Sequence, residues 1–136
     1  MNHNLEMVLR LLLATFLGAV IGFQREWSGK EAGLRTNMLI CLGAALIALA
    51  SLNGFPGNTG QVAAGIVTGV GFIGAGVILH RTGGEVSGLT TAATILVVAG
   101  IGIAAGAGLY VISSVTAALT LLILFLPHIH RPKDKQ

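Results

Sequence analysis

Charge is what this sequence has least of. Of its 136 residues, eight are Lys or Arg and five are Asp or Glu, or 10%. A soluble domain uses roughly 25% to keep its surface wet. The scarcity is concentrated in two gaps. No Asp, Glu, Lys or Arg occurs from Thr36 to His80, nor from Val86 to His130, and each gap is 45 residues long. Cysteine is down to Cys41 alone, which excludes an internal disulfide scaffold and leaves the redox compartment unread. No Cys, His and acid cluster at ligand spacing is present. His128 and His130 lie two apart beside a basic tail, which suits a solvated tail better than a metal pair.

What is present is apolar: 54% hydrophobic residues, 20 Gly, and a mean hydropathy of +0.85. A helix crossing the hydrocarbon needs about 20 apolar residues. Each charge-free gap therefore holds two spans and a hairpin turn, and the stretch before Arg25 holds one more. The expected spans are Met7 to Gln24, Thr36 to Leu52, Gln61 to Leu79, Ser87 to Ala104 and Leu109 to Leu126. The fold class is all-α, a polytopic membrane protein of five transmembrane helices. It comprises a membrane domain over residues 1–127 and a short basic tail over 128–136. The first span carries Arg10, lacks a basic leader and runs into a charged loop, unlike a signal peptide. A soluble enzyme and a nucleic-acid partner are excluded by the same arithmetic. The partner that composition demands is the lipid bilayer.

Orientation follows from Lys and Arg in short loops. The loop after span one has three, the tail three, the loop after span three one, and the other connections none. An outside N-terminus and a cytoplasmic C-terminus place all of them on the cytoplasmic side.

Self-comparison gives a repeat. Leu17-Gly18-Ala19-Val20-Ile21-Gly22-Phe23-Gln24-Arg25 aligns with Ile73-Gly74-Ala75-Gly76-Val77-Ile78-Leu79-His80-Arg81. Gly33-Leu34-Arg35-Thr36 then aligns with Gly88-Leu89-Thr90-Thr91. Spans one–two and three–four are thus two copies of one hairpin in the same orientation, a parallel repeat about an axis along the membrane normal. Thr36 and Thr91 are expected to cap their helices. Around them gather Arg25, Glu26, Arg35, Asn37, Arg81, Glu85 and Thr90, with Glu31 as a further counter-charge. Two interpretations fit this cluster: a structural network that closes the hairpins, or a cytoplasm-facing site for an anion, a headgroup or a partner. Small-residue pairs Gly18/Gly22, Gly65/Gly69 and Gly102/Gly106, with Gly71 and Gly74, are spaced for close helix packing within the bundle or, as the second option, for self-association.

Four blocks carry a family resemblance: Gly18-Ala19-Val20-Ile21-Gly22-Phe23-Gln24-Arg25-Glu26-Trp27, Ala32-Gly33-Leu34-Arg35-Thr36-Asn37, Gly69-Val70-Gly71-Phe72-Ile73-Gly74-Ala75-Gly76-Val77-Ile78 and Gly88-Leu89-Thr90-Thr91-Ala92-Ala93-Thr94. In this order they closely resemble the MgtC/SapB family. The resemblance implies a multi-pass protein of the bacterial inner membrane, linked to magnesium limitation and, in pathogens, to survival in macrophages. It also implies contact with the membrane part of the ATP synthase and with small hydrophobic peptides. Family members commonly continue into a cytoplasmic domain, whereas this chain stops about ten residues after span five. Thr90 stands where the virulence branch has Asn, and Leu96 where many members have Trp. These departures point to a short, SapB-like member.

Function divides into two expectations. The first is a non-enzymatic regulator working through helix contacts, with a homodimer as its favoured assembly. The second is a transporter or channel for Mg²⁺ or another small solute. Mg²⁺ requires octahedral oxygen ligands, usually including a carboxylate, and spans two to five offer none. No cofactor or catalytic residue is expected, and any magnesium link comes from the resemblance alone.

Overall fold

The computed structural model describes residues 2–79 and 88–127. The described chain is helical throughout: α1 (His3–Trp27), α2 (Leu34–Gly54), a single 3₁₀ turn (Pro56–Asn58), α3 (Thr59–Leu79), α4 (Leu89–Gly106) and α5 (Tyr110–Leu124). The first four are long and apolar enough to cross a membrane, and α5 is shorter at 15 residues. Each of the five expected spans has its helix. The helix α1 starts four residues earlier than expected, so Glu6 joins Arg10 inside it.

The expected threonine caps are corrected. The residue before α2 is Gly33 and the residue before α4 is Gly88, and neither helix has a side-chain cap. Gly88 takes the left-handed conformation at φ 96°, which glycine adopts without steric cost. Thr36 and Thr91 each sit three residues further on, inside the first turn of their helices.

Buried side chains follow the helical period. On α1 they are Ala14, Leu17, Gly18, Ile21, Gly22 and Arg25; on α4 they run from Thr91 through Thr94, Ile95, Val98 and Gly102 to Gly106. The two stripes meet at a polar residue, Arg25 closing one and Thr91 opening the other. The helices α2 and α4 form the centre, α1 packs on both, and α3 packs on α4 and more lightly on α2. Among the described residues α1 and α3 do not touch. That is the contact pattern of a two-fold arrangement of hairpins, with α5 added against α4 and α1.

Glycine decides how closely backbones approach. A Cβ on Gly18 would lie 2.7 Å from the Asn37 carbonyl oxygen, and one on Gly22 2.8 Å from Leu34 Cα. On α4, a Cβ on Gly102 would strike the Cys41 carbonyl, and one on Gly106 would lie 2.6 Å from that of Ala45. Because 102 meets 41 and 106 meets 45, α2 and α4 run in the same direction, as a parallel repeat requires. The repeat is also visible in detail. Gly74 faces Ala92 at 3.4 Å, and these are the aligned counterparts of Gly18 and Asn37. At Gly65, Gly69 and Gly71 the expectation of packing within the bundle fails. Nothing lies within 4 Å of the position a Cβ would take. Gly65 and Gly69, with Gly43, instead line an open apolar groove between α2 and α3 with a volume of about 630 Å³.

Candidate functional site

The C-terminus of α1 and the N-termini of α2 and α4 meet at one end of the bundle. Arg25 lies at the last position of the α1 stripe, only 4% exposed, and its Nη2 donates to Thr91 Oγ1 in the first turn of α4. The charge that reaches it is that of Glu31, in the connection between α1 and α2. Its Nε is buried with no partner among the described residues. Burying a guanidinium is costly unless it is compensated, so this junction is an electrostatic centre of the molecule.

Asn37 is fully buried and holds the loop in front of α2. Its Nδ2 donates to the carbonyl oxygens of Ala32, at 2.7 Å, and Gly33, at 2.9 Å. Ala32 needs this support because its φ of 54° is uncommon for a residue with a Cβ. The Oδ1 of the same amide is buried and has no partner among the described residues. Glu26 lies against Gly33, with Oε1 3.1 Å from where a Cβ would stand, and so brings negative charge to the start of α2.

The other expected members divide. Arg35 and Thr36 are exposed in the first turn of α2, and Thr90 is exposed in that of α4. The aligned threonines therefore differ: Thr91 is buried against Arg25, while Thr36 faces outward. Arg81 and Glu85 lie outside the described residues. Of the nine positions, the structure brings Arg25 and Thr91 into direct contact, with Asn37 supporting the adjacent loop.

A second polar cluster, at the opposite end, was only half legible in sequence. Glu6 and Arg10, four residues apart on α1, form an ion pair at 2.8 Å. Arg10 also donates to Tyr110 Oη at 3.1 Å and to the Gly106 carbonyl at 3.1 Å. The spacing of four residues gave the pair away; Tyr110, a hundred positions further along, left no local signal. Arg10 thereby satisfies a carbonyl at the end of α4 and fixes the start of α5.

The family is decided by comparison. The MgtC family model matches residues 11–131. The chain belongs to the MgtC family. It is 52% identical to protein MgtC of Salmonella typhimurium strain 14028s over 101 residues, covering 74% of this chain and 43% of that protein. It is 44% identical to YhiD of Escherichia coli K12, provisionally named a magnesium transporter, over 90% of this chain and 61% of the relative. Protein SapB of Bacillus subtilis is 38% identical over 93% of this chain and 59% of its own length. Identity is thus higher to MgtC than to SapB, and both are longer than this chain, so the relatives do not single out the SapB-like subgroup that the sequence departures suggest. The chain spans from about two-fifths to three-fifths of the length of these relatives. No solved structure matches. This MgtC-family chain is a multi-pass membrane protein.

Proposed function

We propose that this MgtC-family protein is a non-enzymatic regulator of the bacterial inner membrane, acting through contacts with other membrane helices. Its role lies in magnesium homeostasis or stress adaptation, extending to virulence in a pathogen. The observation that carries this reading is how the buried hydroxyls are used. Ser51 donates to Ala48, Thr94 to Thr90, Ser113 to Tyr110 and Thr120 to Thr116, each to a carbonyl of its own helix. Each of these hydroxyls is tied to its own helix, and α2 to α5 contain no Asp or Glu to supply the carboxylate that Mg²⁺ usually takes among its oxygen ligands. The seams between α1, α2 and α4 are closed at backbone distance by Gly18, Gly22, Gly102 and Gly106.

Contact is well supplied. The buried positions on α3 are Ile66, Val70 and Gly74, and the outer faces of α3 and α5 carry Phe72, Leu79, Val111, Leu122 and Phe125 largely uncovered. A second copy, giving a homodimer, or a partner such as the membrane part of the ATP synthase would meet these faces. A transporter is the second reading. It is favoured by the provisional name of YhiD and by the two-fold hairpin pattern, which in transporters places a path at the axis.

Liposomes separate the two. The purified chain, reconstituted around a Mg²⁺-sensitive dye, should leave the influx at the rate of empty liposomes. Robust flux that Arg25→Ala or Glu26→Ala abolishes would overturn the regulator. Cross-linking in native membranes should trap a dimer or a partner, and a strict monomer would count against contact as the mode of action.

A further inference from the structure

We infer that α3 is the moving element of this fold, swinging on α4 between the open position of this structure and a closed position against α2. The repeat supplies both positions. Its two copies relate α1 to α3 and α4 to α2, so the α1–α4 seam and the α2–α3 seam are two instances of one interface. The first instance is closed. Leu17 is 6% exposed, and Ile21 and Val98 in the same cluster are fully buried. The second is open. Ile73, the counterpart of Leu17, is 45% exposed. Val77, the counterpart of Ile21, is half-buried, and Gly43, the counterpart of Val98, lines the groove.

What holds each helix explains the difference. Side chains tie α1 at both ends: Arg25 to Thr91, and Arg10 to Tyr110 Oη and the Gly106 carbonyl. His3 Nε2 adds a contact of 3.2 Å to Asn53 Oδ1 on α2, and α5 packs over α1 and α4. At the Arg10 end the repeat carries no such tie to α3. Ile66 stands at the counterpart of Arg10, and Ser51, the counterpart of Gly106, donates to its own helix. Thr68 likewise donates to Ala64, and among the described residues no side-chain hydrogen bond or ion pair joins α3 to another helix. Backbone contact is looser as well. A Cβ on Gly18 or Gly22 would lie 2.7 or 2.8 Å from α2, whereas one on Gly74 would lie 3.4 Å from Ala92, and Ile78 replaces Gly22.

Helices in a bilayer attract one another by close packing, and only Ile66, Val70 and Gly74 of α3 are buried. Few buried contacts and no polar tie mark an element that shifts at low cost. Closure has room, because Gly65 and Gly69 meet nothing within 4 Å and Gly43 stands on the opposite wall. The tied helices α1, α2, α4 and α5 form the frame, and α3 moves on it as a rigid body at the Gly74–Ala92 contact. Such a motion serves a regulator and a transporter equally, and it is read without a flux or partner assay.

Distances between spin labels in the full chain, held in lipid nanodiscs, test the motion. Labels at Phe72→Cys and Leu46→Cys, both exposed, report α3 against α2; labels at Phe16→Cys and Leu96→Cys, also exposed, report α1 against α4. Native Cys41 is buried and stays unlabelled. The α3–α2 pair should show two distances that differ by more than about 2 Å, the size of an ordinary interfacial helix shift. The α1–α4 pair should show one. Gly69→Leu, whose Cβ meets no neighbour in the open groove, should abolish the shorter α3–α2 distance, and Gly100→Leu, equally open on α4, should keep both. Circular dichroism establishes that each variant is folded, and Gly65→Leu on the same floor repeats the test should Gly69→Leu fail to fold. A single α3–α2 distance, two distances in both pairs, or a shorter distance that survives in the folded groove variant overturns the inference.

Discussion

Gly102→Ala is the substitution that tests the architecture most directly. A methyl at this position would sit 2.9 Å from Ala44 Cβ and 3.1 Å from the Cys41 carbonyl carbon, with the Cys41 oxygen nearer still. Ordinary carbon contacts begin at about 3.5 Å. Two of the three obstacles are backbone atoms in the middle of α2, so the helices must separate by about 0.5–1 Å. A gap of that size forfeits a quarter to a half of each dispersion contact along the seam, and overpacking of this kind costs about 1–3 kcal/mol. Alanine is also a better helix former than glycine, by up to about 1 kcal/mol. Gly65→Ala shares that gain and meets nothing within 4 Å, so the difference between the two variants isolates the clash. Thermal unfolding of the detergent-solubilised proteins should place Gly102→Ala below Gly65→Ala by about 3–12 °C. Adding Ala44→Gly should recover part of the loss. If Gly102→Ala melts at or above Gly65→Ala, backbone contact does not close the α2–α4 seam and the centre of the bundle is packed in some other way.

Thr91→Val removes the acceptor of Arg25 Nη2 at nearly constant volume and should lower stability by about 1–3 kcal/mol; unchanged melting would show that the pair contributes nothing. Asn37→Ala deletes both bonds to the loop carbonyls, and trypsin should then cut faster at Lys30 and Arg35, with Ala32→Gly partly restoring protection. Arg10→Ala should destabilise the protein more than Tyr110→Phe, because it also frees the Gly106 carbonyl and Glu6; equal melting temperatures would contradict that ranking. For orientation, Ser28→Cys should react with an impermeant maleimide only after the cells are opened, whereas Asn58→Cys should react in intact cells. Native Cys41 is buried and gives little background.

The five helices were legible because charge is excluded from hydrocarbon and the gaps between charges measure the spans. Arg25 and Thr91 were legible as members of one cluster, and their contact follows from the helical period, since each stands at one end of the buried stripe of its helix. The glycine pairs were not. Gly65/Gly69 and Gly102/Gly106 have the same spacing, yet one pair floors an open groove and the other presses on backbone. Spacing places small residues on one helical face but leaves open whether a neighbour covers that face. The caps went to Gly33 and Gly88 rather than to threonine because φ and chain direction at the hairpin decide the start of α4, and these are set by the tertiary turn. The part played by Tyr110 depends on α5 folding back over α1, which no local pattern records.

The two arginines of α1 share a further property. Arg25 holds Thr91 and Arg10 holds the Gly106 carbonyl. Along both antiparallel helices these anchor points are fifteen residues apart, a rise of about 22 Å. Matched spacing locks the register like two pins through parallel rails: a slip of even one residue must release both ends together. Anything that pulls Arg25 away from Thr91 at one end of the bundle therefore loads Arg10 at the other, and the α1–α4 pair carries a mechanical linkage along the length of the bundle.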